Sequence, residues 1–167
     1  VIAYIGLGTN LGNRWANLRA GVLGLRREGL EVLELSSVWE SEPVGTRSPL
    51  WFLNMAARAR TTLGPRALLD LLLAVERAAG RRRGEPNAPR TLDLDLLMLD
   101  ALCWSDERLE LPHPRMWQRR FVLEPLGEIA PELCDPATGR SVEERRRSAS
   151  AGGTVYRVGR LEEPVLV

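Results

Sequence analysis

The patterning of this sequence predicts an α+β fold: an antiparallel sheet with helices on one face, plus C-terminal additions. Three observations carry that expectation. Through Leu99, stretches that alternate apolar and polar residues are interleaved with two stretches of helical period, in the order β-α-β-β-α-β. Clusters of glycine, proline and serine fall between those stretches. A chain of 167 residues can bury a sizeable core, and no linker, repeat or low-complexity tract divides it, so a single domain over residues 1–167 is expected.

The elements follow in order. "VIAYIGLG" (Val1 to Gly8) reads as a buried strand ending in glycines, with Gly8 and Gly12 letting the chain turn sharply. Asn13 is the N-cap of "NRWANLRAGVLGLRR", in which Trp15, Leu18, Val22 and Leu25 share one helical face. "LEVLELSSVWES" alternates as a second strand, and "SEPVGTRSP" is a loop by composition. "LWFLNMAARARTT" is a third strand, with Met55, Ala57, Ala59 and Thr61 on one face and Ala56, Arg58, Arg60 and Thr62 on the other. "GPRALLDLLLAVERAAG" is a helix, with Pro65 in its first turn and Gly80 past its end. "RRRGEPNAP" is a loop and "RTLDLDLLML" the fourth strand. This βαββαβ order is the ferredoxin-like arrangement. Beyond it come a short strand near "ALCW", a partly helical "LELPHPRMWQRRFVLEPLGEI" and a small polar helix, "SVEERRRSA".

Composition narrows the chemistry. Hydrophobic residues at 44% against 27% charged describe a globular chain rather than a disordered one. All 23 basic residues are arginine. That excludes a P-loop lysine, a Schiff-base lysine and a lysine nucleophile, so phosphate chemistry here would rest on arginine and metal. Genomic bias or heat adaptation accounts for much of the arginine. Cys103 and Cys134 have no CxxC partner, and neither a secretory signal nor a membrane span is evident, which leads to the expectation of a cytoplasmic protein with no membrane partner. A net charge of +1 gives no basic excess for nucleic acid. A monomer is expected.

Asp93 and Asp95 stand two apart in the fourth strand and therefore project from one face, while Leu92, Leu94, Leu96 and Met98 form the other row and Leu97 and Leu99 continue the aspartate row. Adjacent carboxylates repel unless one is protonated or a cation lies between them. Mg²⁺ suits such a pair, because it takes one or two carboxylates and completes its shell with water and phosphate oxygens. The competing reading is a set of salt bridges to nearby arginines. The preceding loop holds Arg81, Arg82, Arg83 and Arg90, whose planar forks match phosphate oxygens, although a charge run is also an ordinary solvated surface. Phe52 and Asn54 form a second i, i+2 pair, either a platform for a heterocycle or plain packing with a sheet-edge amide. His113, the single histidine, is held between Pro112 and Pro114; with two distant cysteines it makes no zinc site. "GLGTNLG" misses the dinucleotide spacing.

Several stretches together resemble one family, the 6-hydroxymethyl-7,8-dihydropterin pyrophosphokinases of folate synthesis. They are "AYIGLGTNLGNR", "SSVWESEPVG", "FLNMA", "VERAAGR", "APRTLDLDLLML" and "LPHPRMWQRRFVLEPLGEIAPEL", in the family's order, from the first strand to Leu133. The resemblance implies a ferredoxin-like core and transfer of the β,γ-pyrophosphoryl unit of ATP to the pterin hydroxymethyl oxygen, releasing AMP. It implies two Mg²⁺ ions held by Asp93 and Asp95. It implies that Arg81 and Arg90 grip the phosphates, with Glu76, Leu96, Arg108, Glu110, His113 and Arg119 lining the ATP site. The pterin would stack between Phe52 and Phe121 and be read by Asn54 and by backbone groups of Ser41, Pro43 and Val44. The chain departs from many relatives at Pro86, Asn87 and Pro114, and the loop before Arg90 is short enough for Arg82 or Arg83 to replace Arg81. Two other readings stay open from the residues themselves: a binding module that uses the sheet face for a ligand or RNA, and a DxD metal enzyme acting on nucleotide sugars.

Overall fold

The computed structural model describes residues 1–43, 49–80, 91–149 and 153–162. The sheet is built on β1 (Ile2–Thr9), which pairs antiparallel with β4 (Phe52–Arg60) on one side and β5 (Asp93–Leu99) on the other. Beyond β4 lie β2 (Glu31–Leu35) and β3 (Val38–Ser41), both antiparallel to it, and β3 carries β8 (Val155–Gly159) on its outer edge. The path is β5-β1-β4-β3-β8, with β2 beside β4.

Helices α1 (Arg14–Arg27) and α2 (Pro65–Ala78) cover one face. The α1 cap is as expected: Asn13 Oδ1 accepts the Ala16 N–H at 3.1 Å. Leu18, Val22 and Leu25 are buried, but Trp15 is 38% exposed and lies beside β8, with a ring atom 3.4 Å from where a Gly159 Cβ would sit. The two helices approach most closely at Gly24, where a Cβ would come within 2.6 Å of Val75 Cγ1. Leu68, Leu71, Leu72 and Val75 complete the helical side of the core with Ile5, Leu7, Leu53, Met55 and Leu94.

Two expectations change, both because a strand gains one residue. The second strand is broken at Ser36 and Ser37. Leu35 opposes Ala57 while Trp39 opposes Asn54, so the outer strand holds one residue more than β4. Ser36 keeps the ladder intact: its N–H donates to the Ala56 carbonyl at 2.9 Å, and its hydroxyl accepts the Ala56 N–H at 2.8 Å in place of a carbonyl. In β5, Ile5 opposes Leu96 but Tyr4 opposes Met98, so Leu97 is the extra residue. The bulge exchanges the faces beyond it. Leu99 joins Leu92, Leu94 and Leu96 under the helices, and Met98 joins Leu97 on the opposite face, the reverse of simple alternation.

That opposite face is not bare. Ala56, Leu97 and Met98 are covered by α3 (Arg120–Ile129) through Val122, Leu123 and Leu126, with Met116 and Val142, the first residue of α4 (Val142–Ser148), behind them. The C-terminal additions thus supply a second helical layer. The strand expected near "ALCW" is Trp104–Ser105 (β6), paired with Glu110–Leu111 (β7) in a separate hairpin. Among the described residues no helix is long and apolar enough to cross a membrane.

Candidate active site

The α3 layer stops short of the upper end of its sheet face, and the strand register there assembles a floor. Gly8 lies between Asp93 on β5 and Asn54 on β4; Gly6 lies between Asp95 and Ala56. Cross-strand partners share a face, so the two aspartates flank a trough whose central strand has no side chains. Gly8 is therefore inside β1, paired on both edges, rather than the turn residue its position suggested, whereas Gly12, with φ +73°, does turn the chain.

Around this floor is a cavity of about 180 Å³, smaller than the roughly 300–1,000 Å³ of drug-sized ligand sites. Phe52 rises from the start of β4 and Phe121 from the first turn of α3, and both line it. The Asn54 amide is fixed: its Nδ2 donates to Ser41 Oγ at 2.8 Å and both residues are buried, which turns Oδ1 toward the trough, 3.5 Å from where a Gly8 Cβ would be. The opposite wall is cationic. Arg119 lies with its guanidinium carbon 5.5 Å from the Phe121 ring centroid, and Arg115 joins it. Arg119 is also the N-cap of α3, so the positive end of that helix dipole opens here. Two carboxylates on the floor thus face two guanidiniums on the wall.

His113 stands beside this charge pattern. Its backbone N–H donates to the Leu97 carbonyl at 2.8 Å, and its ring Nδ1 accepts the Arg115 N–H at 3.2 Å. Burial, then the charges of Arg119 and Arg115, hold the imidazole pKa below its ordinary value, against an opposing pull from Asp93. The ring is therefore neutral at pH 7 with its proton on Nε2, a donor rather than a cation.

Ser41, Phe52, Asn54, Asp93, Asp95, Arg119 and Phe121, all singled out in the sequence, line one cavity. Glu76 is buried on α2 and its Oε2 accepts the Leu94 N–H at 2.7 Å, which ties the helix to β5 between the aspartates. Leu96 packs under α1 and α2, so only its backbone is available to a ligand. Arg108 and Glu110 belong to the β6–β7 segment, away from the cavity lining, where Arg108 bonds Asp70 at 2.6 Å. Pro43, two residues after Ser41, does not line the cavity. Arg81, Arg82, Arg83, Arg90 and Val44 lie outside the described residues. Sequence reasoning missed Gly6, Glu42 and Arg115. Gly6 and Gly8 carry the same period-two spacing as Asp93 and Asp95, a signal that becomes readable once the two strands are paired.

Comparison with known proteins decides what this arrangement belongs to. Residues 4–131 match the family described as 7,8-dihydro-6-hydroxymethylpterin-pyrophosphokinase (HPPK). The chain belongs to the HPPK family. It is 41% identical over 144 residues to the 2-amino-4-hydroxy-6-hydroxymethyldihydropteridine pyrophosphokinase of Bacillus subtilis, covering 86% of each chain. The Methylorubrum extorquens enzyme of the same name is 42% identical over 132 residues, 78% of this chain and 84% of that one. A mitochondrial folate synthesis bifunctional protein of Arabidopsis thaliana is 40% identical over 134 residues, 80% of this chain but 24% of that one. Among solved structures, an HPPK-DHPS in complex with substrates superposes with a TM-score of 0.68 at 14% identity, over 88% of this chain and 43% of that chain. The Plasmodium falciparum HPPK-DHPS with pteroate gives 0.68 at 12%, over 87% of this chain and 44% of that chain. At such identities the likeness establishes the fold, and this HPPK chain spans less than half of those solved chains. Family membership makes the protein an enzyme of folate synthesis that transfers pyrophosphate from ATP to hydroxymethyldihydropterin.

Proposed function

We propose that the cavity is the pterin site of this pyrophosphokinase and that Asp93 and Asp95 form its Mg²⁺ site. The observation that carries this is one cavity lined by both the acidic pair and the Phe52, Asn54 and Phe121 set. Its volume of about 180 Å³ suits one bicyclic ring.

The donor set fits a hard cation. Asp93 and Asp95 offer carboxylate oxygens alone, Gly6 and Gly8 opposite them leave open the space a Cβ would fill, and no group of three or more His, Cys, Asp or Glu side chains fit for a metal occurs among the described residues. Two carboxylates are what Mg²⁺ needs when phosphates complete the shell, and two ions are expected. Asp93 and Asp95 would hold the ion, which would supply charge neutralisation for the phosphates.

The chain's own residues do the rest. Phe52 and Phe121 stack on the two faces of the ring, and Asn54 Oδ1 accepts from its polar edge, helped by backbone groups of Ser41, Pro43 and Val44. The His113 Nε2–H and the guanidiniums of Arg119 and Arg115 meet phosphate oxygens, with Glu76, Leu96, Arg108 and Glu110 along the remaining ATP path. Arg81 and Arg90 bind the transferred group most tightly in the transition state. The pterin hydroxymethyl oxygen bonds to the β-phosphorus, the bond from that phosphorus to the oxygen bridging to the α-phosphate breaks, AMP leaves with that oxygen, and the hydroxyl proton is released. Positioning and charge neutralisation supply the catalysis. Residues 1–167 act as one pyrophosphokinase domain, as a cytoplasmic monomer on small molecules, with no membrane or nucleic-acid partner.

The test is ATP, Mg²⁺ and 6-hydroxymethyl-7,8-dihydropterin with chromatographic separation of nucleotides. Pterin-dependent AMP is expected. ADP would mean that the metal site is right and the transfer wrong. Bound ATP without turnover would favour a binding module.

A further inference from the structure

Strand β8 lies outside residues 4–131, the part of the chain that matches the family, yet its leading end reaches the site. At Gly153 and Thr154 the tail passes between Glu42, which lines the cavity, and Arg120, which does not. On one side is Glu42, which follows Ser41 and lines the cavity; its backbone N–H donates to the Thr154 carbonyl at 3.1 Å. The return bond departs from an ordinary ladder. The Thr154 N–H donates to Glu42 Oε1 at 2.7 Å, so a carboxylate oxygen stands where antiparallel strands use a carbonyl. On the other side the Arg120 guanidinium donates to the Gly153 carbonyl at 3.5 Å, and Arg120 lies between Arg119 and Phe121, both cavity residues. A Cβ at position 153 would run into the Glu42 carboxylate. The rest of β8 has anchors of its own: Tyr156 Oη donates to Glu40 Oε1 at 3.1 Å, and the Tyr156 and Trp51 rings lie 6.1 Å apart.

We infer that Gly153 and Thr154 are positioning residues for the pterin end of the site, acting through Glu42; this rests on the cavity being the pterin site. A carboxylate that accepts a backbone N–H makes a strong, short bond. Here it pins the chain where it leaves β3. The residue before it, Ser41, holds the Asn54 amide at 2.8 Å. The grip therefore runs from the tail through Glu42 and Ser41 to the amide that reads the ring. The contact with Arg120 fixes the same tail corner to the wall that carries Phe121.

The test uses the full chain and the AMP-release assay, with KM measured separately for pterin and ATP beside a thermal melt. Gly153→Ala places a methyl where the Glu42 carboxylate lies, and Glu42→Ala removes the carboxylate. Each is expected to raise the pterin KM about five- to tenfold, a part of the worth of a hydrogen bond to a charged group because it reaches the ring through Ser41 and Asn54, with the ATP KM within about twofold. Glu42→Gln keeps an oxygen for the Thr154 N–H and recovers most of the pterin KM lost in Glu42→Ala. Phe52→Ala is the control on the underlying reading. If it leaves pterin binding intact, the cavity is not the pterin site. If it weakens pterin while Gly153→Ala and Glu42→Ala do not, the tail has no positioning role. Equal rises in both KM values with a matching fall in Tm would reduce the tail to a general brace and overturn the inference.

Discussion

Gly8→Ala is expected to separate stability from binding. Gly8 lies inside β1 between Asp93 and Asn54, and its φ is outside the left-handed region, so the backbone accepts an L-residue. The new methyl would meet Asn54 Oδ1 at 3.5 Å and Leu53 O and Phe52 Cδ1 at 4.0 Å, ordinary van der Waals contact. Replacing a strand glycine by alanine stabilises by about 0.5–1 kcal/mol, which raises the Tm of a chain this size by about 1–4 °C. The same methyl stands on the floor of a cavity of about 180 Å³. Overpacking against a bound ring costs about 1–3 kcal/mol, a weakening of about five- to 150-fold in Kd. Calorimetric titration with the pterin and a thermal melt in the same buffer measure both. A raised Tm with unchanged Kd would refute the assignment of the floor, and a Tm lowered by several degrees would mean that the glycine answers a backbone need.

Four other outcomes are expected. Asp95→Asn keeps the side-chain volume and, on the proposed Mg²⁺ role, should lower kcat by about 10²–10³-fold or more; turnover within tenfold of wild type would leave the acidic pair structural. Arg90→Ala should, on its proposed role, lower kcat more than it raises the ATP KM; equal losses would contradict that role. The His113 pKa is lowered by burial, Arg119 and Arg115. As pH falls below about 6.5 the unfolded chain takes up the proton first, so stability drops toward the folded-state pKa and levels off beneath it. Urea midpoints at about pH 7.5 and about pH 5 should therefore lie closer together in His113→Gln than in wild type; the same gap in both would count against the lowered pKa. Glu76→Ala strips the buried Leu94 N–H of the carboxylate that accepts it at 2.7 Å. It should cost about 1–3 kcal/mol, about 2–12 °C in Tm, and a melt within a degree of wild type would show that the N–H finds another partner.

The parts of the fold legible in the sequence are those set by local spacing. Asp93 with Asp95, and Phe52 with Asn54, share a face because i and i+2 do so in any strand, and neither pair straddles a bulge. The helical side of the core followed from period 3.6 for the same reason, except at Trp15, in the first turn of α1, which lies over the edge strand β8 and is 38% exposed. What local spacing does not reach are contacts set by distant partners. The break at Ser36 depends on a hydroxyl that meets the Ala56 N–H twenty positions away. Arg115 gave no periodic signal and lines the site because the His113 N–H is tied to the Leu97 carbonyl. That Phe121 and Phe52 belong to one site came from the resemblance to a family.

The bulge at Leu97 connects the illegible part to the function. Without it, residues after Asp95 would alternate, and the face that holds the aspartates would carry Leu97 and Leu99 with a gap between them. With it, Leu97 and Met98 lie side by side on that face, and Val122, Leu123 and Leu126 of α3 close over them. Apolar cover therefore begins one residue past Asp95's neighbour Leu96, and the start of α3, with Arg119 and Phe121, is set down at the rim of the trough. The single inserted residue thus makes the apolar cover beyond Asp95 a continuous Leu97–Met98 pair for α3 to close over. The two carboxylates before it are half-buried and close enough to packed walls to hold a fixed geometry.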